Sequence, residues 1–307
     1  MIQATLHQLR VFQTVASHGS FTKAAEELFI TQPTVSNQMK QLTQTVGMPL
    51  FEQIGKQLYL TDIGRELLAS CQEIFEQLDR FEMIVADIKG TKQGKLRLAV
   101  VTTAKYFVPR ILGYFCQKYP KVDVALEVTN HQNITRRMLE NQDDLYILSQ
   151  PPEDIPVCSE ALMNNPLVLV ANKNHPLAQK KNIPIKRLTD EAFILREQGS
   201  GTRQAVQQLF AKHKISVKVR LELNSNEAIK QAIAGSLGIS VLSEHTLYRE
   251  SSELELTTLD VQGFPIQRQW YVCYLDGKQL SVIAQAFLEY IQEYTQKMDI
   301  ASHLVSQ

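Results

Sequence analysis

Two short stretches of this chain carry residue types that bind small anions. Thr102-Thr103-Ala104-Lys105 offers two hydroxyls and an ammonium between an apolar run and a helical one, where backbone N–H groups also face a ligand. Arg196-Glu197-Gln198-Gly199-Ser200-Gly201-Thr202-Arg203 has a similar make-up. Its two glycines allow close backbone approach, Ser200 and Thr202 add hydroxyls, and Arg196 can grip a carboxylate or phosphate through two parallel hydrogen bonds. A Gly-Ser-Gly-Thr turn alone is usually only a turn. Two anion-friendly strand ends on opposite lobes say more, because a cleft brings them together. His131, Gln150 and Ser225, at predicted strand or helix ends, are further candidates that more often serve structure than ligand contact. A third stretch, Thr31-Gln32-Pro33-Thr34-Val35-Ser36-Asn37-Gln38-Met39-Lys40, presents Gln32, Thr34, Ser36, Asn37 and Lys40 on one polar face. Such a face is either simply solvated or reads DNA: Gln pairs with adenine, Thr methyls meet thymine methyls, and Lys neutralises phosphate.

Other chemistry finds little support. The seven histidines include no H-x-x-x-H pair, Gly235-Ser236-Leu237-Gly238 is not a nucleophile elbow, and no phosphate-binding G-x-x-x-x-G-K-[ST] occurs. Cys71, Cys116, Cys158 and Cys273 are too scattered for a zinc ribbon or disulfide framework and are expected as buried free thiols. No metal or cofactor is expected. The first residues lack a basic segment followed by an apolar one, and no apolar run approaches the ~18 residues of a membrane span. A cytoplasmic, soluble protein is expected. The rival readings are a cytosolic small-molecule-binding protein and an enzyme acting on a phosphorylated acid.

The elements that must position these residues fall into three segments. Over 1–60, Leu6, Leu9, Phe12, Val15 and Ala16 mark one helix, stopped at His18-Gly19. Ser20 caps a second, closed by Phe29-Ile30, and Thr31 caps a third, with Pro33 in its first turn and Gly47 at its end. Leu50 to Leu60, with a central Gly55, reads as a small hairpin or wing. Over 61–89, Ile63, Leu67, Cys71, Ile74, Leu78, Phe81, Val85 and Ile88 recur every three or four residues, predicting a coiled-coil helix that pairs with a second copy. The polar stretch 89–94 is a hinge. Over 95–307, strands near 96–101, 122–128, 145–148, 167–171, 193–196, 217–223, 239–242 and 269–275 alternate with helices near 105–119, 133–142, 201–213, 225–235 and 278–296. That alternation predicts parallel strands covered by helices. The length suits two lobes, the first about 95–161 and 268–307, the second about 162–267.

Charge qualifies the DNA reading. The chain has 32 basic and 32 acidic residues, an electrostatic balance unlike that of a strongly basic nucleic-acid binder. Residues 1–60 carry four positive and three negative residues, 61–89 three and seven, and the remainder 25 and 22. DNA would therefore be held by base contacts and multiple copies more than by charge, with a shallow salt dependence per subunit.

The order Leu9-x-x-Phe12, Gly19-Ser20-Phe21-Thr22-Lys23-Ala24-Ala25, Leu28, Thr31-Gln32-Pro33-Thr34-Val35-Ser36, Leu42, Gly47, Pro49-Leu50-Phe51-Glu52 and Leu60-Thr61-x-x-Gly64 resembles the amino-terminal signature of LysR-type transcriptional regulators. The resemblance implies a winged helix-turn-helix, all-α apart from its wing, then a long linker helix and an α/β two-lobed effector domain like a periplasmic binding protein. It also implies tetramers built as dimers of dimers on double-stranded promoter DNA. Ser20, Thr22, Thr31, Gln32, Pro33, Thr34, Ser36, Asn37, Lys40, Gln53 and Lys56 become the implied DNA-facing residues, although many family members carry Arg at the positions of Gln53 and Lys56. Arg196 and Glu197 match a position the family often uses for effectors, while Gln198 stands where Pro is frequent. Leu50–Lys56 and Arg268-Gln269-Trp270-Tyr271-Val272 are similar to the carbon-assimilation branch (CbbR, CmpR and NdhR/CcmR types). That branch implies a small anionic effector such as 2-phosphoglycolate, ribulose 1,5-bisphosphate or 2-oxoglutarate. An anion bridging Thr102/Lys105 and Arg196/Thr202 would then close the lobes.

Overall fold

Helix α1 (Leu6–His18) opens on a capping box: Thr5 accepts from the Gln8 N–H at 3.2 Å, and the Gln8 side chain accepts from the Thr5 N–H at 3.0 Å. Gly19, at φ +58°, ends it, and Ser20 caps α2 (Phe21–Glu27). Thr31 caps α3 (Gln32–Val46), which carries Pro33 in its first turn and ends at Gly47. The computed structural model describes residues 3–55, 57–88, 92–247 and 254–305, and the chain divides into two units, 1–85 and 86–307. In the first, Val11, Phe12, Val15, Ala24, Val35, Met39 and Leu42 form the core. Each large side chain so buried stabilises by roughly 1.5–3 kcal/mol. Leu6, expected on the buried face, is exposed. Between α2 and α3, Ile30 packs inward while Phe29 takes φ +53° and is 95% exposed.

Strands β1 (Phe51–Ile54) and β2 (Gln57–Leu60) pair antiparallel as the wing, Phe51 opposite Leu60. Lys56 at its turn lies outside the described residues. Helix α4 (Asp62–Ile88) starts against the wing, where a Cβ on Gly64 would lie 2.1 Å from the Leu50 carbonyl oxygen. The single seam predicted along α4 divides. Ile63, Leu67 and Cys71 join the domain's own core with Leu68 and Phe75, while Ile74, Leu78, Phe81 and Ile88 are exposed.

The second unit begins with β3 (Gln93–Val101), so the predicted hinge ends inside a strand, and Lys89 to Thr91 lie outside the described residues. Helix α5 (Val108–Lys118), β4 (Lys121–Thr129), α6 (His131–Leu139), β5 (Leu145–Leu148) and β6 (Val157–Asn164) follow. The second lobe holds β7 (Leu167–Asn172), β8 (Ala192–Arg196), α7 (Gly201–His213), β9 (Lys218–Leu223), α8 (Asn226–Ala234), β10 (Ser240–Ser243) and β11 (Leu256–Thr258). Strand β12 (Gln269–Leu275) and helix α9 (Val282–Val305) return to the first.

The first-lobe sheet has the order β4-β3-β5-β12-β6. Strands β4, β3 and β5 are parallel, as the alternation predicts, but β12 runs antiparallel to both β5 and β6. In the second lobe, β8 and β9 are parallel, while β7 is antiparallel to β10 and β11. The departure has a topological cause: β6 and β12 adjoin the crossovers between lobes, so no βαβ unit sets their direction. Strand β6 escapes the sequence because Cys158, Ser159 and Glu160 break any apolar run. The predicted helix 105–119 divides at Phe107 into a 3₁₀ turn, Ala104–Tyr106, and α5, whose first turn takes Pro109.

Alternation along β7 explains the second lobe's two cores. Leu167, Leu169 and Ala171 face α7, and Val168 and Val170 face α8. All four cysteines are free; Cys71 and Cys273 are buried, their thiols pushed up to about 11 and about 12 by burial, whereas Cys116 and Cys158 are only half-buried. Among the described residues, no helix is long and apolar enough to cross a membrane, and no three His, Cys, Asp or Glu side chains gather as a metal site.

Candidate functional site

The first candidate surface is one face of α3. Val35, Met39 and Leu42 point to the core, which turns Gln32, Pro33, Thr34, Asn37 and Lys40 outward, with Ser36 half-buried. Local bonds order this face: the Thr31 and Thr34 hydroxyls are 2.8 Å apart, and Gln32 Nε2 donates to Ser36 Oγ at 2.8 Å. Ser20 accepts from the Lys23 N–H, and Thr22 is exposed beside it. On the wing, Gln53 donates to the Gly55 carbonyl at 3.2 Å. No carboxylate pairs with Lys40 among the described residues. The exposed Phe29 beside this face has no signal in the sequence pattern.

The second candidate is the cleft between the lobes of the second unit. Three adjacent parallel strands deliver their carboxyl ends to it: β3 through Thr102 and Thr103, β4 through Asn130 and His131, β5 through Ser149. Arg196, Ser200, Gly201 and Thr202 come from the other lobe, at the end of β8 and the start of α7. Ser200 caps α7, and Thr202 is buried in its first turn, so N–H groups of α7 open toward the cleft. The opposing walls approach so closely that about 10 Å³ remains, room for roughly one water. Gln132 N–H donates across to the Gly199 carbonyl at 3.1 Å, and a Cβ on Gly199 would meet the Gln132 side chain at 2.5 Å.

The predicted cations are committed differently than the sequence suggests. Arg196 is buried and meets Glu197 through Nε at 2.8 Å and Nη2 at 3.0 Å, Asn226 through Nη1 at 2.8 Å and Thr102 across the cleft at 3.0 Å. All three of its guanidinium nitrogens are thus engaged by protein groups. Lys105 reaches Glu227 of the other lobe at 2.9 Å, where Tyr106 also donates, at 2.5 Å. Burial alone would raise the Glu227 carboxyl, but hydrogen bonds from Tyr106 and Lys105 outweigh it and hold the group down at about 2. Protein side chains thus bridge the lobes at the same two places where an anion was expected, through Lys105–Glu227 and Arg196–Thr102.

The remaining predicted residues separate. Ser225 caps α8 and donates to Glu227 at 3.0 Å. Gln150 lies beyond the cleft, where it accepts from Arg268 at 2.8 Å. His131 lines the cleft; burial, and then the nearby charge of Arg268, push its imidazole down, so it is neutral near pH 7. Among the described residues, His131 Nδ1 and Asn226 Nδ2 are buried polar atoms without a partner, as in a site built to meet a polar ligand. Asn130, Ser149, Asn226, Glu227 and Arg268 were not predicted. Asn130 and Ser149 are findable as polar residues directly after apolar strands; the other three need the lobes assembled.

A winged helix-turn-helix and a two-lobed α/β unit with a polar cleft together define a DNA-binding regulator of the ligand-sensing class. Residues 6–65 match the family model for the bacterial regulatory helix-turn-helix protein, lysR family, and residues 89–296 match the LysR substrate binding domain. The HTH-type transcriptional activator CmpR of Synechocystis sp. is 49% identical over 301 residues, covering 98% of this chain and 99% of the relative. A RuBisCO operon transcriptional regulator of Acidithiobacillus ferrooxidans is 49% identical over 288 residues, covering 94% and 93%. The regulatory domain of Synechocystis PCC6803 CcmR, solved in complex with 2-PG, is 62% identical at a TM-score of 0.66, covering 67% of this chain and 99% of that one. The chain belongs to the LysR family of transcriptional regulators and is of the CmpR/CbbR type. These relatives are named as regulators, not enzymes, and the enzyme reading falls with that.

Proposed function

We propose that this regulator senses 2-phosphoglycolate in the inter-lobe cleft and controls genes of inorganic-carbon uptake or carbon fixation from promoter DNA. Residues 1–60 bind the DNA, with Gln32, Thr34, Ser36 and Asn37 at base edges and Ser20, Thr22, Thr31 and Lys40 at the backbone. Residues 61–89 pair two copies through the exposed Ile74, Leu78, Phe81 and Ile88 of α4, since an apolar stripe of this kind in water favours a partner. Residues 95–307 hold the effector, and two such dimers form a tetramer on one operator. The protein works in the cytoplasm, where its DNA and metabolite meet.

The observation that carries the effector is the 62% identical CcmR domain and its bound 2-PG. The chemistry of the cleft agrees with an acidic ligand: hydroxyls, helix N–H groups and unpartnered buried nitrogen atoms converge there. A ligand shifts the regulator only through its different affinity for two lobe arrangements. The cleft must therefore widen beyond one water to admit the anion, and the Lys105–Glu227 and Arg196–Thr102 bridges are what opening breaks. The test is a mobility shift on promoter fragments selected by the purified protein, repeated with 2-phosphoglycolate, ribulose 1,5-bisphosphate and 2-oxoglutarate. A shift altered most by 2-phosphoglycolate is expected; no response to any of the three overturns the effector reading.

A further inference from the structure

Most buried or half-buried guanidinium groups of the second unit meet a carboxylate. Arg97 faces Asp144, Arg137 faces Asp143, Arg196 faces Glu197 and Arg203 faces Glu222. Arg268 does not. It is half-buried, and its hydrogen-bond partners are the Ser149 carbonyl at 3.3 Å and Gln150 Oε1 at 2.8 Å, both neutral. No carboxylate among the described residues lies within ion-pair distance of it. Two neutral acceptors only partly replace the hydration a guanidinium loses on burial. Burial accordingly lowers the Arg268 pKa. Arg136, which lines a neighbouring space with His131 and Ser200, is also without an ion-pair partner among the described residues, but it is exposed and its charge is solvated.

The surroundings of Arg268 are shaped for an anion. It lines a cavity of about 490 Å³ at the crossover from the second lobe to the first, with Gln150, Asn164, Gln267, Gln269 and Tyr271. The lining includes no acidic residue and is rich in hydrogen-bonding groups. Ser149 belongs to the wall of this cavity and to the wall of the inter-lobe cleft, so the two spaces adjoin. The charge of Arg268 is felt at His131, which lies in the cleft itself. Within the cleft, Arg196 is already paired with Glu197, and Lys105, on the lobe that carries Arg268, with Glu227.

We propose that Arg268 is the receptor for the second anionic group of a two-headed effector, whose first head sits at the amino end of α7 beside Ser200 and Thr202. The ligand class is a short acid carrying an anionic group at each end, phosphate with carboxylate or two phosphates. A one-headed phosphate fills only the α7 end. This assignment rests on the cleft being an anion sensor. It adds a specificity: the uncompensated cation selects length and double charge, which hydroxyls and helix N–H groups alone do not.

The test is titration calorimetry on the full chain with 2-phosphoglycolate and with methyl phosphate, for wild type, Arg268→Gln and Gln150→Glu. Wild type should prefer the two-headed ligand by about tenfold or more, the range of one charge-assisted bidentate contact. Arg268→Gln should erase that preference while leaving methyl phosphate within about twofold. Gln150→Glu supplies the carboxylate the site lacks and should erase it equally; it keeps Arg268 in place, so it decides the matter if Arg268→Gln fails to fold. Equal weakening of both ligands, or a preference unchanged in either folded variant, overturns the role of Arg268. Wild type binding neither ligand overturns the sensor reading itself, and wild type binding both without preference overturns the second subsite alone.

Discussion

The face of α3 and the inter-lobe cleft handle polar groups in opposite ways. On α3, Gln32, Thr34, Asn37 and Lys40 are exposed, and the side-chain bonds of Gln32 and Thr34 are to neighbours within a few residues. In the cleft, Arg196, Ser200 and Thr202 are buried, and the cations are held by acids of the same protein. A surface that reads a large rigid partner can wait in water, because desolvation is deferred until the partner arrives. A chamber for a small ligand is desolvated by its own fold and must balance its charges in advance. Substitutions should therefore alter binding alone on α3 but stability and binding together in the cleft.

The largest expected effect tests that division most directly. Arg196→Ala leaves Glu197 and Asn226 without their buried partner and should destabilise the second unit by about 3–5 kcal/mol in a urea melt. A melt unchanged by the substitution would show that the guanidinium is reserved for ligand after all. Gly64→Ala forces a methyl group into the Leu50 carbonyl and should cost about 1–3 kcal/mol in the first unit. Gly113→Ala has open space and should instead stabilise by roughly 0.5–1 kcal/mol. On α3, Gln32→Ala or Asn37→Ala should weaken promoter binding by about 1–3 kcal/mol with an unaltered melt. A matching loss of stability would place those side chains with the structural residues.

The smallest effect belongs to the Lys105–Glu227 bridge, whose partners are more than a third exposed; such pairs contribute about 0–1 kcal/mol. Its sign is nevertheless defined. Glu227 is lowered from 4.5 to about 2, so its contribution is complete above about pH 4.5 and fades as pH falls toward 2. The stability difference between wild type and Glu227→Gln should be flat above pH 4.5 and shrink below it. A difference that instead grew on acidification would rule out the ionised bridge.

Legibility followed locality. Ser20, Thr31, Pro33, Gly19 and Gly47 sit where helix-end chemistry requires them, and the polar face of α3 is a single ten-residue run. Thr102, His131 and Ser200 could be placed at strand and helix ends for the same reason. Period alone could not apportion α4: its stripe is continuous in sequence, yet Cys71 enters the domain core and Phe81 remains exposed. Nor could it give strand direction, because β12 pairs with strands more than a hundred residues distant.

By itself the sequence determined the winged helix-turn-helix, the residues its third helix shows to solvent, and the two stretches that meet across the cleft. These depend on capping, turn and periodicity rules that act within a few residues. Tertiary structure alone decided which charges are available. Lys105 and Arg196 look open in sequence but are matched by Glu227, 122 residues away, and by Glu197, which Arg196 grips while also reaching Thr102. Arg268, unremarked as a site in the sequence, has no carboxylate beside it among the described residues. Whether a buried charge is neutralised depends on what the fold brings within about 4 Å, where electrostatic interaction is strong, and chain position says nothing of that distance.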